Sequence, residues 1–185
     1  MEQLRPYTYD DLLTMPEDAT RREIINGELV VSPSPHFVHQ FLVLRAARIL
    51  EDAGAGGGVV LAAPMDVRLT AHDVVQPDVM FIRNEHLGIL ANDGRISGTP
   101  DIVIEIVSPG SARTDRVRKF ALYARSGVPV YWLLDYRDRS FALHELRDGR
   151  YHAIPAESDG RLRSRVLPDL AVSAEDLFAG IPAID

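Results

Sequence analysis

The sequence has no cysteine, which excludes disulfides and thiolate metal sites and fits a cytoplasmic location, the expectation adopted here. It has no apolar run near the roughly 20 residues that a membrane helix needs, so no membrane partner is expected. Residues 1–5 lack a basic region followed by an apolar one, so no secretory signal is expected. Positive charge is in deficit, with a formal net charge of −7. That argues against a non-specific DNA coat protein, which is normally basic. It leaves room for an enzyme whose acidic site is partly neutralised by a divalent metal. Lysine is almost missing: of 20 basic residues, 19 are arginine and one, Lys119, is lysine. Composition bias explains most of that. The surviving lysine still stands out, because an ammonium is a compact charge whose pKa moves on burial, and arginine cannot replace it in that role.

With 185 residues, 46% apolar and 25% charged, the chain reads as one globular domain, 1–185. It shows no internal repeat, low-complexity tract or domain boundary. The organising stretch is 74–132. Two apolar runs, 74–82 and 101–107, each carry one acid in the interior, Asp78 and Glu105. A carboxylate inside an otherwise apolar strand is costly to desolvate unless a cation meets it. Two such acids on neighbouring strands would repel without a metal ion or a lysine between them.

The remaining elements follow from turn and periodicity signals. Thr8 opens a short helix that Pro16 stops. Residues 22–31 form a hairpin around Asn26-Gly27. Ser34-Pro35 offers an N-cap and a first-turn proline for a helix over 36–53, with Phe37, Phe41, Leu44 and Arg48 at helical spacing and Val38, Leu42 and Ile49 widening its apolar stripe. Gly56-Gly57-Gly58 lacks the Lys-Ser/Thr of a phosphate loop, so that function is rejected. Residues 59–69 and 74–82 read as paired strands. Residues 83–100 are irregular, with a turn at 92–94 and a short helix near 86–91. A central strand over 101–107 is broken by Ser108-Pro109-Gly110. Thr114 starts a helix to about Ser126, with Val117, Phe120, Ala121 and Ala124 as its packing face and Asp115, Lys119 and Tyr123 as the adjacent stripe. A strand over 128–135, a hairpin over 140–154 and a short helix opened by Ser173 complete the chain.

This order of helix, three strands, helix and strand resembles the restriction-endonuclease-like superfamily, and more closely the Uma-type restriction-endonuclease family. The matching stretches are Glu23-Ile24-Ile25-Asn26-Gly27-Glu28-Leu29, Val75-Gln76-Pro77-Asp78, residues 100–109 with Glu105, Asp115 through Lys119 to Tyr123, and Gly127-Val128-Pro129 to Tyr131-Trp132. Together they span most of residues 8–180. The resemblance implies an α/β fold: a central mixed sheet flanked by helices, with an αβββαβ core and an added N-terminal hairpin. One departure is plain. Val107 stands two residues after Glu105, where the superfamily carries lysine, and the resemblance implies that Lys119 on the next helix takes its place.

The implied activity is divalent-metal-dependent endonucleolytic hydrolysis, with DNA as the expected substrate, Mg²⁺ or Mn²⁺ as cofactor, and a homodimer as the expected assembly. Asp78, Glu105 and the Ile106 carbonyl would hold the metal, with Glu28 as a further ligand. Lys119 would be the catalytic cation. His39 and Arg116 would contact substrate, with Arg113 and Arg118 as further phosphate contacts. The plain alternatives are a hairpin surface acid for Glu28, a helix-face histidine for His39 and solvated arginines. For Pro77-Asp78 the alternative is an edge-strand bulge with an exposed acid, and for Glu105 a buried salt bridge to a neighbouring arginine such as Arg68. The rival functions are a catalytically silent binding or scaffold protein on the same fold, and a serine hydrolase using Ser108 or Ser111, disfavoured by the missing Gly-x-Ser-x-Gly elbow.

Overall fold

Thr8 opens α1 (Tyr9–Leu13) as the sequence indicates, its N–H donating to the Asp11 carboxylate at 2.8 Å. These coordinates, a computed structural model, describe residues 5–181 apart from 17, 19, 93 and 109. The N-terminal stretch and the turn residues Asp93 and Pro109 therefore lie outside the described residues. β1 (Arg21–Ile25) and β2 (Glu28–Ser32) form the expected hairpin. Asn26 and Gly27, both at positive φ, make the turn whose twist matches the strands.

α2 (Phe37–Ala53) is capped by His36, whose Nδ1 accepts from the Val38 N–H at 3.4 Å, and not by Ser34. Its buried stripe keeps Val38 and Leu42 of the expected set and is rotated away from the rest. Val38, His39, Leu42, Val43, Ala46 and Leu50 face the core, while Phe37 and Leu44 are exposed. The spacing 38, 42, 46, 50 is the more continuous row, and it carries His39 inward with it.

The two strands expected over 59–69 and 74–82 are each broken at a proline. The chain forms β3 (Gly58–Ala62), β4 (Val67–Thr70), β5 (Asp73–Val75) and β6 (Val79–Arg83), with Pro64 and Pro77 in the gaps. A proline cannot donate to a ladder, so each run leaves one sheet there and enters another. β3 pairs with β6 and β4 with β5, in different sheets. A 3₁₀ turn over Asn84–Ile89 and the short β7 (Ile96–Ser97) lead to β8 (Ile102–Val107).

A wide helical turn, Thr114–Lys119, runs into α3 (Phe120–Arg125). Here the expected faces are exchanged in part, Phe120 alone of the named apolar face keeping ring contacts with Tyr131, His144 and Tyr151. Asp115, Lys119, Leu122 and Tyr123 are buried, whereas Val117 is 60% exposed and Ala121 is exposed. The polar stripe packs inward beside Phe120 because acids on the sheet meet it. β9 (Val130–Asp135), β10 (Ser140–Arg147), β11 (Arg150–Ala153), the short pair β12 (Leu162–Arg163) and β13 (Ala171–Val172), and α4 (Ala174–Phe178) finish the chain.

The six-stranded sheet runs β11-β10-β9-β8-β6-β3, with β8 and β9 parallel and the other neighbours antiparallel. It contains the expected αβββαβ core as α2, β3, β6, β8, α3 and β9. Ile102, Ile104 and Ile106 pack toward α2, and Val103 and Val107 toward α3, so β8 is covered on both faces. The five-stranded sheet runs β2-β1-β5-β4-β7. The sheets diverge at Pro64 and Pro77, and Asp78 stands at that fork. Among the described residues no helix is long and apolar enough to cross a membrane.

Candidate active site

A cleft of about 500 Å³ opens at the fork. Arg21 and Glu23 enter it from β1, His39 from α2, Asp78 from the start of β6, Glu105 and Ile106 from β8, and Asp115 and Lys119 from the helix. Glu105 points to the α3 face because side chains alternate along a strand, and it stands between Val103 and Val107. Glu23, Asp78, Glu105 and Lys119 are each 1% exposed. Charges buried to that degree persist only with partners.

The partners divide the carboxylate oxygens unevenly. Asp78 Oδ2 accepts from the Ile106 backbone N–H at 2.7 Å and meets His39 Nε2 at 3.1 Å. An ionised carboxylate can only accept, so His39 carries its proton on Nε2. Asp78 Oδ1 is held by Arg21 Nη1 at 2.7 Å. Glu105 Oε1 accepts from Lys119 Nζ at 2.9 Å and from the Tyr123 hydroxyl at 2.6 Å. Its Oε2 faces Arg21 Nη2 at 3.6 Å. Glu23 Oε1 takes Lys119 Nζ at 2.8 Å and the Gln76 N–H at 2.7 Å. Asp115 completes the ring, 3.8 Å from the ammonium.

This network sets the protonation states. Burial pushes Glu105 up to about 8; Lys119 opposes the shift, and the charges of Asp78 and Asp115 add to it. Burial also acts to raise Asp78, but the His39 hydrogen bond and the Arg21 charge outweigh it and hold Asp78 below the usual carboxylate range. Burial would strip the proton from Lys119, yet Glu105 and Glu23 keep it well above its ordinary value. Asp115 is raised by burial, and Tyr123 stays a phenol because burial and Glu105 oppose its ionisation. Lys119 is therefore a fixed positive charge, and Glu105 is the weak acid of the cluster.

Of the residues singled out from sequence, Asp78, Glu105, Ile106, Lys119 and His39 come together. Glu28 does not. It is exposed and paired with Arg118 at 2.8 Å, and it does not line the cleft. Arg116 is likewise outside the cleft, paired with Asp135 at 2.7 Å. Glu105 pairs with Lys119 and faces Arg21, not Arg68. Ser108 and Ser111 bond each other through their hydroxyls at 3.0 Å, with no histidine partner among the described residues. Sequence reasoning missed Arg21, Glu23 and the inward turn of Asp115 and Tyr123. The signal was present: Arg21 and Glu23 are two apart on one strand, so they share a face.

Among the described residues no three His, Asp or Glu side chains are grouped so as to hold a metal ion alone. Mg²⁺ is commonly held by one or two carboxylates together with water and substrate phosphate, and the Asp78–Glu105 pair supplies that donor set of hard oxygens. The Ile106 N–H turns to Asp78, and the N–H and C=O of a strand residue face the same edge, so its carbonyl would be available to the same cation. The residues fit a cation that completes its shell from solvent and substrate.

Comparison with known proteins gives two findings. The family profile Uma2, described as "Putative restriction endonuclease", matches residues 9–175. A crystal structure of "a putative nuclease" from Anabaena variabilis is similar in fold, with a TM-score of 0.76 at 19% identity over 94% of this chain and 98% of that one. No curated protein matches the chain.

Proposed function

The chain belongs to the Uma2 family, and from that membership and the cleft we propose that it is a divalent-metal-dependent nuclease acting on DNA. One observation carries the reading: a buried acid pair, Asp78 and Glu105, sits in an open cleft beside the chain's only lysine, whose ammonium is 2.9 Å from Glu105. Asp78, Glu105 and the Ile106 carbonyl would hold Mg²⁺ or Mn²⁺. When bound, such an ion activates a water and offsets charge developing on the phosphate.

The chain's own residues do the rest. The Ile106 N–H and His39 aim Asp78 and keep it ionised. Tyr123 and Lys119 aim Glu105 through one oxygen and leave Oε2 toward the cleft. Lys119 keeps its proton, so it acts through charge and position and not as a base. Its role replaces that of the lysine missing at Val107. A homodimer and a cytoplasmic site of action belong to the same proposal, the first checked by sedimentation.

The test is nicking of supercoiled plasmid DNA in Mg²⁺ or Mn²⁺. Wild type is expected to nick and to stop when EDTA is added, while Asp78→Asn and Glu105→Gln lose at least about a hundredfold. Metal-independent nicking, nicking by both variants at the wild-type rate, or no nicking by the wild type overturns the reading. The second reading is a silent binding protein on the same fold. It is favoured by Val107 and by a network in which Glu23, Asp78 and Glu105 each already meet a cation.

A further inference from the structure

We infer that Arg21 is a built-in counter-cation that occupies the position of the divalent ion, and that the ion binds by displacing its guanidinium from Asp78 and Glu105. The inference rests on the reading of these two acids as ligands given above. It goes beyond that reading by naming what holds the site before the ion arrives.

Each of the two acids has one oxygen tied to fixed donors and one left over. Asp78 Oδ2 is tied to a backbone N–H and to His39, and Glu105 Oε1 to Lys119 and Tyr123. The two oxygens without such ties, Asp78 Oδ1 and Glu105 Oε2, both face one group, the Arg21 guanidinium, at 2.7 and 3.6 Å. Glu23 Oε1 is also 3.6 Å from it. A single cation therefore already lies against the free oxygens of both candidate ligands.

Something must yield if an ion is to reach Asp78, and the candidates differ in freedom. The Ile106 N–H belongs to a strand paired with Leu134 of β9. The side chains of His39 and Lys119 are 8% and 2% exposed. The Arg21 side chain is 23% exposed and lines the cleft, and Arg21 begins its strand. Its Nη atoms carry all of its hydrogen bonds, to Asp78 and the Gln76 carbonyl, while its buried Nε has no partner. The Arg21 side chain is thus held at its guanidinium tip and is the most exposed of the groups that meet Asp78. The charge count favours the exchange. Four carboxyl groups (Glu23, Asp78, Glu105, Asp115) share two cations (Arg21, Lys119), so a divalent ion brings more positive charge to them than the one guanidinium it replaces.

The experiment is a calorimetric titration with Mn²⁺ of wild type, Arg21→Met, Arg22→Met and Asp78→Asn. A second readout is the Arg21 Nε–H signal of ¹⁵N-labelled protein titrated with Mg²⁺, assigned by its loss in Arg21→Met. The expected results are Mn²⁺ binding about tenfold tighter in Arg21→Met, binding within twofold of wild type in Arg22→Met, and movement of the Arg21 signal with Mg²⁺. Arg22 is the control because it pairs with Asp18. If methionine unfolds the protein, seen by circular dichroism, Arg21→Gln removes the charge while keeping hydrogen bonds and is read the same way. Equal or weaker Mn²⁺ binding without Arg21, or an Arg21 signal indifferent to Mg²⁺, overturns the displacement while leaving Asp78 and Glu105 as ligands. Mn²⁺ binding that survives Asp78→Asn unchanged, or that is absent throughout, overturns the ligand reading, and the displacement with it.

Discussion

Lys119 Nζ and Glu105 Oε1 lie 2.9 Å apart, with both side chains almost wholly out of water. Neither residue pays its own desolvation. Each is tolerated because the other is there, and because Glu23 and Tyr123 take the remaining hydrogen bonds.

Removing one partner exposes that dependence. Lys119→Met leaves Glu23 and Glu105 buried beside each other without their shared ammonium. The expected loss is about 3–5 kcal/mol, which for a chain of this size lowers the melting temperature by roughly 10 °C. Thermal denaturation followed by circular dichroism measures it, and a shift below about 2 °C would show that water reaches the pair.

The pH dependence follows from Glu105, pushed up to about 8 from an ordinary 4.5. Between those values the folded chain keeps a proton that the unfolded chain has released. Stability from this group is complete below pH 4.5 and is lost as pH rises through 8, with a slope of at most about 1.4 kcal/mol per pH unit. Asp78, held below its ordinary value, acts in the opposite sense: its stability is present above that value and lost on acidification. Urea unfolding from pH 5 to 9 is expected to show falling stability, and Glu105→Gln is expected to flatten the alkaline limb.

His39 touches the candidate ligand Asp78 and is a positioning residue. His39→Ala frees one Asp78 oxygen from its hydrogen bond and is expected to weaken Mn²⁺ binding by about 10- to 100-fold. It is also expected to move the acid limb of the stability profile toward higher pH, because the bond keeps Asp78 ionised. Calorimetry and acid titration give the two readouts. Weakened metal binding with an unmoved acid limb would place His39's effect elsewhere.

Arg116 serves as the contrasting case. Its ion pair with Asp135 is partly exposed, with the arginine side chain at 42%, so Arg116→Ala is expected to cost less than about 1 kcal/mol. It lies outside the cleft, so plasmid nicking is expected to stay within twofold of wild type. A tenfold loss would return Arg116 to the substrate contacts that the sequence suggested.

The acids and the lysine were legible because each broke a local rule. Asp78 and Glu105 interrupt apolar runs, and Lys119 is the single exception to an arginine-only chain. Glu28 was drawn in by the same hairpin motif that contains Glu23, and spacing alone could not say which acid turns inward. β1 pairs with β5 at Ile24 and Val74, and that places Glu23 against Gln76 and leaves Glu28 at the turn. The helix over 114–125 misled for a related reason. Hydrophobicity assigned Val117 and Ala121 to the core, but the electrostatic demand of the buried acids rotated Lys119 and Asp115 there instead.

The sequence by itself determined the β1–β2 hairpin, the succession of the main helices and strands, and the oddity of Asp78, Glu105 and Lys119, since periodicity, turn chemistry and a charge set in an apolar run act over a few neighbouring residues. Which cations meet which oxygens was decided only in three dimensions. Arg21 comes from a different sheet from Glu105, and the chain bends between sheets at Pro64 and Pro77. No local pattern encodes the fork that brings a guanidinium within reach of both acids.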